Sequence, residues 1–263
     1  MGIPAITIQN ISMKYPTPNG EGLEVIRDIN LSISKGSFVT IIGPSGCGKS
    51  TLLNIVSGLT VATEGEVMLG EKKIVGPEPS KIAMVLQEAS LFPWKTVLKN
   101  VEFGLELRNV GSKDQRKLTS MKYIDLLGLQ GFEDYYPSEI SGGMQQRVSV
   151  ARALALEPEV LLMDEPFGSL DEQTRLLMDV DLERIWQETG KTIVFVTHSL
   201  AEAAYLSDVI VVLSARPAKI KEVINVTVKR PRDPESLELF EIRRRLWSHI
   251  SNEATSQLVH GKH

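Results

Sequence analysis

The residues with the clearest chemistry form a glycine-rich run that fills the pattern G-x-x-x-x-G-K-[ST], in which backbone amides cradle nucleotide phosphates. Glycines allow the backbone to curl so that successive N–H groups face one anion. Within the run, Lys49 is expected to reach the β- and γ-phosphates, and the Ser50 hydroxyl is expected to hold Mg²⁺. The residues of this phosphate loop are Gly43, Pro44, Ser45, Gly46, Cys47, Gly48, Lys49, Ser50 and Thr51.

The flanks of the phosphate loop supply the elements that would hold it. Residues 38–42 are apolar and β-branched, which predicts a buried strand, and residues 50–56 begin an amphipathic helix. A helix N-terminus carries roughly half a positive charge, so a strand, loop and helix in this order favour an anion. A glycine-rich turn that matched by accident would not need these flanks. The sequence therefore predicts nucleotide binding.

An acidic pair follows a second apolar run. Asp164 and Glu165 come directly after residues 160–163, where charged groups are costly to bury unless they are used. Asp164 is expected to hold Mg²⁺ through water, opposite Ser50. Glu165 is expected to orient or deprotonate the attacking water. Two solvated loop acids would be the alternative interpretation.

Three further side chains could serve the same chemistry. Gln87 ends the apolar run 82–86, which predicts a central strand, and it could approach the metal. His198 could contact the γ-phosphate and order Glu165, or it could be a surface residue at a strand end. Tyr15 could stack on a nucleotide base, or it could be a half-exposed strand residue.

Composition excludes several classes of protein. The net charge of −4 argues against a general nucleic-acid binder. Cys47 is the only cysteine, which forbids an intrachain disulfide and fits a reducing compartment. No apolar run approaches the roughly 18 residues needed to span a bilayer. The first six residues show neither a secretory signal nor a myristoylation motif.

The predicted elements change character along the chain. Alternation at 6–13 and 25–33 predicts strands, whereas helical spacing covers 97–108 and 113–127. Between the two helices lie a turn and an N-cap, provided by Gly111-Ser112. The apolar face predicted for the second helix consists of Leu118, Met121 and Ile124.

After a third predicted helix, which Pro158 closes, strands and helices alternate. This alternation implies a largely parallel sheet with ligands at the carboxyl ends of its strands. Residues 220–228 predict an edge hairpin, 229–234 a linker, and a final helix follows. The strands and helices of the alternating part are predicted at 160–163, 172–188, 192–196 and 209–213.

A short run at the start of the third helix resembles the signature motif of ATP-binding-cassette (ABC) ATPases. It consists of Ser141-Gly142-Gly143 followed by Gln145-Gln146-Arg147. The remaining motifs of that family stand in order around it, and the resemblance covers about residues 5–228. They are Tyr15, the phosphate loop, Gln87, Asp164-Glu165, Ser169-Leu170-Asp171 and His198.

The resemblance implies an α/β fold. It would consist of a P-loop NTPase (RecA-like) core with a mostly parallel sheet, an antiparallel β subdomain and an inserted α-helical subdomain. The whole chain, 1–263, would be a single ABC ATPase domain. Its expected parts are the nucleotide-binding core with the β subdomain at 1–87 and 157–228, the helical subdomain with the signature motif at 88–156, and a C-terminal linker and helix at 229–263.

The resemblance also implies a head-to-tail homodimer. ATP would lie between the phosphate loop of one subunit and Ser141-Gly142-Gly143 of the other, with Asp171 also at the nucleotide. A serine that heads a helix, followed by two glycine amides, suits an anion. Met144 stands where the family usually has glutamine, the position at which a capping box closes. The Ser141 hydroxyl is therefore expected to point outward more freely.

Further stretches are similar to the nitrate/sulfonate/taurine type of importer ATPase. They lie at 91–97, 164–171 and 214–217. The resemblance implies an ATP-hydrolysing subunit with ATP and Mg²⁺ as cofactors, peripheral on the cytoplasmic face of the inner membrane. Its partners would be membrane-spanning permease subunits and, through them, an extracytoplasmic substrate-binding protein, with no nucleic acid. The passenger would be a small anion such as nitrate, a sulfonate or taurine.

In this family the loop after Gln87 docks a helix of the membrane subunit. Phe92, Pro93 and Trp94 would form the apolar floor of that groove. An internal cluster of the helical subdomain fits the same residues equally well.

Other functions share some of these motifs. An importer ATPase for another small solute, such as a thiamine-precursor pyrimidine, would carry them all. A soluble ABC ATPase of DNA repair or translation usually has a long coiled-coil insert or two cassettes in one chain, and neither is visible here. A non-catalytic regulator would not need both Glu165 and His198.

Overall fold

The strands and helices follow the predicted order in the computed structural model, which describes residues 3–18 and 20–260, with side chains as far as 251. Expectations for the first two residues and for 261–263 lie outside this range. The described strands are β1 Ile6–Tyr15, β2 Leu23–Ile33, β3 Phe38–Ile42, β4 Glu64–Leu69, β5 Lys72–Lys73, β6 Ile82–Val85, β7 Val160–Asp164, β8 Thr192–Val196, β9 Val209–Leu213 and β10 Ile220–Asn225. The described helices are α1 Lys49–Val56, α2 Val97–Leu107, α3 Lys113–Leu126, α4 Gly142–Ala155, α5 Glu172–Thr189, α6 Leu200–Leu206 and α7 Leu237–His260, with a 3₁₀ turn at Pro137–Glu139.

The chain divides into two units, one formed by Met1–Glu78 with Thr192–His263 and the other by Pro79–Lys191. The first unit contains an antiparallel sheet in the order β2-β1-β4-β5. Its alternating isoleucines face one another, with Ile6 opposite Ile33 and Ile11 opposite Ile29. These side chains are buried, so period-two alternation predicted the correct face.

The same unit contains a parallel layer in which β3 lies between β8 and β9. All five residues of β3 are buried, as a strand covered on both faces requires. The rings of Phe38 and Phe195 on β3 and β8 lie 5.8 Å apart. Strand β10 runs antiparallel to β9, which confirms the predicted hairpin. The fold is thus an α/β P-loop fold with a mostly parallel sheet and an antiparallel β subdomain.

Helix α7 packs on this unit through Leu246, which joins Ile42, Ile210 and Ile224 in one apolar cluster. The linker predicted at 229–234 is fixed rather than solvated. Arg232 is buried and donates to the carbonyl of Tyr205 at 2.6 Å, at the end of α6.

The second unit contains the parallel pair β6–β7 and helices α2 to α5. Within the described residues β6 pairs with β7 and with no other strand, so the prediction of a central strand at 82–86 was wrong. Ser112 caps α3 in a capping box with Gln115, which confirms the predicted start. Leu118 is 74% exposed, whereas Ile124 is fully buried, so the apolar face of α3 is narrower than predicted.

In the part of the chain that is described, no helix combines the length and apolarity that crossing a membrane demands.

Candidate functional site

The phosphate loop runs from the end of β3 to the start of α1, as predicted. Gly46 and Gly48 have φ values of 70° and 126°, in the left-handed region that favours glycine. Lys49 is buried, and its Nζ donates to the carbonyls of Gly43 at 3.1 Å and Pro44 at 3.2 Å. Two carbonyls at the start of the loop therefore face the ammonium group of Lys49.

Two glycines of the loop are closed in by neighbouring strands. A Cβ on Gly48 would lie 2.9 Å from Val25 Cγ1 on β2. A Cβ on Gly43 would lie 3.1 Å from both Cβ and the carbonyl oxygen of Leu213, the last residue of β9. The backbone of the loop thus lies so close to β2 and β9 that only glycine fits at these two positions. The two strands therefore fix the shape of the loop.

The N-terminus of α1 presents a positive end. Gly48 is its N-cap; in the described chain no side chain caps it, and its first turn carries no acidic residue. Backbone N–H groups and the helix dipole therefore both favour an anion at this end. The loop and helix together fit a polyphosphate.

Cys47 lies inside the loop and is only 2% exposed. Burial raises the pKa of its thiol above the ordinary value, although the charge of Lys49 opposes this shift. The thiol is therefore protonated and poorly reactive at neutral pH.

His198 follows β8, the strand that pairs with β3. Because parallel strands end at one edge, His198 and the phosphate loop lie at the same edge of the layer. The preceding residue, Thr197, is buried, and its hydroxyl donates to buried Glu202 and accepts the N–H of Ser199 at 2.9 Å. These bonds fix the backbone on both sides of the exposed His198.

Tyr15 is the last residue of β1 and is 38% exposed. Its partner across the sheet is Leu23, two residues before the Val25 that walls Gly48. The strand pairing therefore places Tyr15 at the end of the antiparallel sheet that lies next to the phosphate loop.

The second unit brings Gln87, Asp164 and Glu165 to one edge. Val85 on β6 pairs with Met163 on β7 in parallel, so the residues that follow both strands leave the sheet together. Glu165 has a φ of 44°, a conformation uncommon for a residue with a side chain and frequent at functional positions.

The signature turn, Ser141-Gly142-Gly143, begins α4, with Ser141 as N-cap. Its Oγ accepts the N–H of Met144 at 3.3 Å, so this hydroxyl is less free than the missing capping box suggested. A Cβ on Gly143 would come within 2.8 Å of Thr174 Cγ2, so a side chain is excluded here.

Thr174, whose methyl group limits the space at Gly143, also bonds to Asp171, the N-cap of α5. The carboxylate of Asp171 accepts the Thr174 N–H at 3.0 Å and its hydroxyl at 2.7 Å. The hydroxyl bond is the main reason that the pKa of Asp171 is lowered, which keeps the carboxylate charged. Asp171 and the signature turn thus both lie next to Thr174.

Sequence reasoning missed the polar side chains that hold the loop after Gln87. Asn100 is fully buried; its Oδ1 accepts the N–H of Phe92 at 2.8 Å and its Nδ2 donates to the carbonyl of Lys95 at 2.9 Å. Arg152 donates to the carbonyls of Ala89 and Ser90, both at 2.9 Å. Their partners are backbone atoms of the 88–96 loop, and no pattern in the sequence marks which backbone atom a side chain reaches.

Gln146, in the second turn of α4, was also missed as a site neighbour. Its Nε2 donates to the carbonyl of Leu86 at 3.2 Å. The signature helix is therefore bonded to the residue directly before Gln87.

The aromatic residues of the 88–96 loop divide between interior and surface. Phe92 is half-buried and packs on Phe103 of α2, with ring centroids 4.5 Å apart. The ring centroids of Trp94 and Phe92 lie 5.7 Å apart, but the Trp94 side chain is 71% exposed. The alternative prediction of an internal cluster therefore holds for Phe92, whereas Trp94 lies on the surface of its unit.

Comparisons with known proteins agree with this geometry. A family model described as "ABC transporter" matches residues 26–168. An uncharacterized ABC transporter ATP-binding protein of Methanocaldococcus jannaschii is 49% identical, over 91% of this chain and 89% of its own. The aliphatic sulfonates import ATP-binding protein SsuB of Bacillus cereus is 44% identical, over 92% and 94%. The taurine import ATP-binding protein TauB of Roseobacter denitrificans is 43% identical, over 82% and 80%.

A solved structure is similar as well. It is a dimeric ATP-binding cassette in a post-hydrolysis state bound to ADP and Pi, with a TM-score of 0.75 and 32% identity. The match covers 85% of this chain and 100% of that one.

Proposed function

The chain belongs to the ABC transporter family as an ATP-hydrolysing cassette, and from this premise we propose that it energises import of a small sulfonate, taurine or a related anion. The observation that carries this proposal is the 44% identity to a sulfonate import ATP-binding protein over nearly the full length of both chains. The taurine import relative supports the same chemical class.

The nucleotide-binding part of the proposal rests on the phosphate loop. Backbone amides of 43–51 would hold the β- and γ-phosphates, assisted by Lys49 and the dipole of α1. The close approach of β9 and β2 at Gly43 and Gly48 supports this role, because a side chain at either position would clash with these strands and push the loop out of shape. The ring of Tyr15 would stack on the base.

Ser50, Gln87 and Asp164 would supply oxygen donors of the kind that Mg²⁺ prefers, and the bound ion would neutralise phosphate charge. Glu165 would orient and deprotonate the attacking water. His198 would donate to the γ-phosphate and keep Glu165 and the water aligned.

A second copy of the chain would complete the nucleotide site. Ser141, Gly142 and Gly143 of that copy, with its Asp171, would contact the triphosphate from the far side. The positive end of the α4 dipole and the bonds that Thr174 makes to Asp171 support this role. ATP binding would then close the dimer, and hydrolysis would open it.

The membrane partners would be permease subunits that span the inner membrane, with this chain peripheral on the cytoplasmic face. A substrate-binding protein outside that membrane would deliver the anion. Exposed Trp94, supported by Phe92 and Phe103, offers an aromatic anchor for a permease helix.

Reconstitution tests the proposal. The chain, the permease subunits that co-purify with it and their binding protein are placed in liposomes containing Mg-ATP, and uptake of labelled taurine, an alkanesulfonate, nitrate and a pyrimidine is compared. We expect ATP-dependent uptake of the sulfonates, abolished with Glu165→Gln. Uptake of only the pyrimidine, or ATPase activity without any membrane partner in the cell extract, would refute the proposed import of small anions.

A further inference from the structure

The turn between β9 and β10, residues 214–219, carries one of the motifs that the proposed function leaves without a role. Its backbone is tightly bonded: Ser214 N–H donates to the carbonyl of Lys219 at 2.9 Å, and Lys219 N–H donates to Ser214 Oγ at 3.0 Å. The Ser214 hydroxyl in turn donates to the carbonyl of Ala215 at 2.9 Å. Such a turn can hold a side chain in a defined direction.

The turn is also fixed to β2. Ala218 N–H donates to the carbonyl of Val25 at 2.8 Å, and Arg27 N–H donates to the carbonyl of Ala218 at 3.0 Å. Val25 is the residue whose side chain walls Gly48, and Leu213, just before the turn, walls Gly43. The turn and the phosphate loop are therefore mounted on the same two strands.

From this turn Arg216 reaches the phosphate loop. Its Nη2 donates to the carbonyl oxygen of Gly46 at 2.6 Å. The carbonyl of Gly46 and the N–H of Cys47 belong to one planar peptide unit, so a bond to the oxygen also fixes the direction of the N–H, which donates to the carbonyl of Pro44 at 3.3 Å and closes the turn of the loop. Gly46 has a φ of 70° and no side chain of its own to restrain it.

We propose that Arg216 is a positioning residue for the ATPase reaction, which holds the Gly46–Cys47 peptide in the turn that shapes the loop for the nucleotide phosphates. The bond is charge-assisted and so stronger than a neutral one. It also places a positive charge beside a site for a polyanion, where it favours binding. The influence of Arg216 on the Cys47 thiol, whose pKa it lowers in opposition to burial, is consistent with a charge felt inside the loop.

This role makes Arg216 important for nucleotide affinity and leaves the hydrolytic groups unchanged. We expect Arg216→Ala to raise the KM for ATP and the Kd for Mg-ADP about five- to ten-fold, somewhat less than the full effect of a charged hydrogen bond because Arg216 is exposed and acts through the peptide. The kcat should stay within about twofold, because Glu165 and His198 are untouched. The melting temperature of the nucleotide-free chain should not change, since Arg216 is exposed.

Lys219 provides the matched control. It is an exposed cation of the same turn, and its two hydrogen bonds with Ser214 are made by its backbone. Lys219→Ala should change the Kd for Mg-ADP less than about twofold. An equal loss in Lys219→Ala and Arg216→Ala would show a general charge effect and overturn the proposal.

The experiment measures Mg-ADP binding by titration calorimetry and steady-state phosphate release for these variants and for Arg216→Lys. Lysine keeps the charge and one donor, so it should restore at least half of the lost binding free energy, and it answers the question if the alanine variant does not fold. Unchanged Mg-ADP affinity in Arg216→Ala, or a fall in kcat at constant KM, would overturn the proposal.

Discussion

The side-chain amide of Asn100 bonds to both backbone groups of Phe92 in the loop that follows Gln87, accepting its N–H at 2.8 Å and donating to its carbonyl at 3.2 Å. A single buried side chain on α2 thus replaces the backbone pairing that a loop lacks. The same loop carries exposed Trp94. The position of Trp94 therefore depends on the bonds that Asn100 makes.

Replacing Asn100 with alanine should therefore loosen the loop. We expect a loss of about 3 kcal/mol in the free energy of unfolding of this unit, because backbone groups would be left buried without partners. Hydrogen exchange at Phe92 and Lys95, compared by mass spectrometry, should become faster. Asn100→Asp keeps the acceptor for Phe92 N–H and should have an intermediate effect. Unchanged exchange in Asn100→Ala would mean that the loop is held by other groups.

Glu165→Gln should bind ATP yet turn over more than about 100-fold more slowly, the usual effect of losing a general base. With saturating Mg-ATP the variant should form a persistent dimer, which light scattering can detect. Glu159→Gln is a matched control, since Glu159 directly precedes β7 and Glu165 directly follows it. Near-normal phosphate release by Glu165→Gln would remove this residue from its catalytic role.

Alkylation of Cys47 should be slow at pH 7, because the thiol is buried and its raised pKa keeps it protonated. The rate with iodoacetamide should rise about ten-fold per pH unit until the pH reaches that pKa, since the thiolate is the reactive form. Mg-ATP should protect, and the alkylated chain should lose nucleotide binding. Cys47→Ser, which has no thiol, should resist the reagent and still bind ATP. Full ATP binding after stoichiometric modification would contradict this.

Trp94→Ala should weaken association with the permease at least ten-fold while ATP affinity stays the same, because an exposed aromatic anchor is a typical interface hot spot. Co-purification of detergent-solubilised permease with the tagged chain provides the measurement. Leu118→Ala is the control, since Leu118 is equally exposed on α3 of the same unit. If both variants retain the permease equally well, Trp94 lies outside the interface.

Local patterns predicted most of the elements and the residues at strand ends. Gly111-Ser112 marked the start of α3 because a capping box is encoded in neighbouring residues. Strand neighbours are not encoded in this way, and β6 was wrongly expected to be central. A continuous apolar run indicates only that a strand is buried on both faces. A covered strand at the edge of a sheet is buried in the same way as a central strand, so the run cannot distinguish them.

The missed residues have another physical cause. Asn100, Arg152 and Arg216 each bond to backbone carbonyls far away in sequence or across a loop. A carbonyl is present at every residue, so no residue type marks the partner. Only the three-dimensional path of the chain shows which carbonyl is reached.

The close walls around Gly43 and Gly48 have a thermodynamic consequence for transport. A cradle already held in shape by β2 and β9 loses little conformational entropy when a triphosphate enters it. The free energy released on binding is then not consumed in ordering the loop. It remains available for the proposed mechanical step, in which one cassette would be drawn onto another and a membrane gate would move.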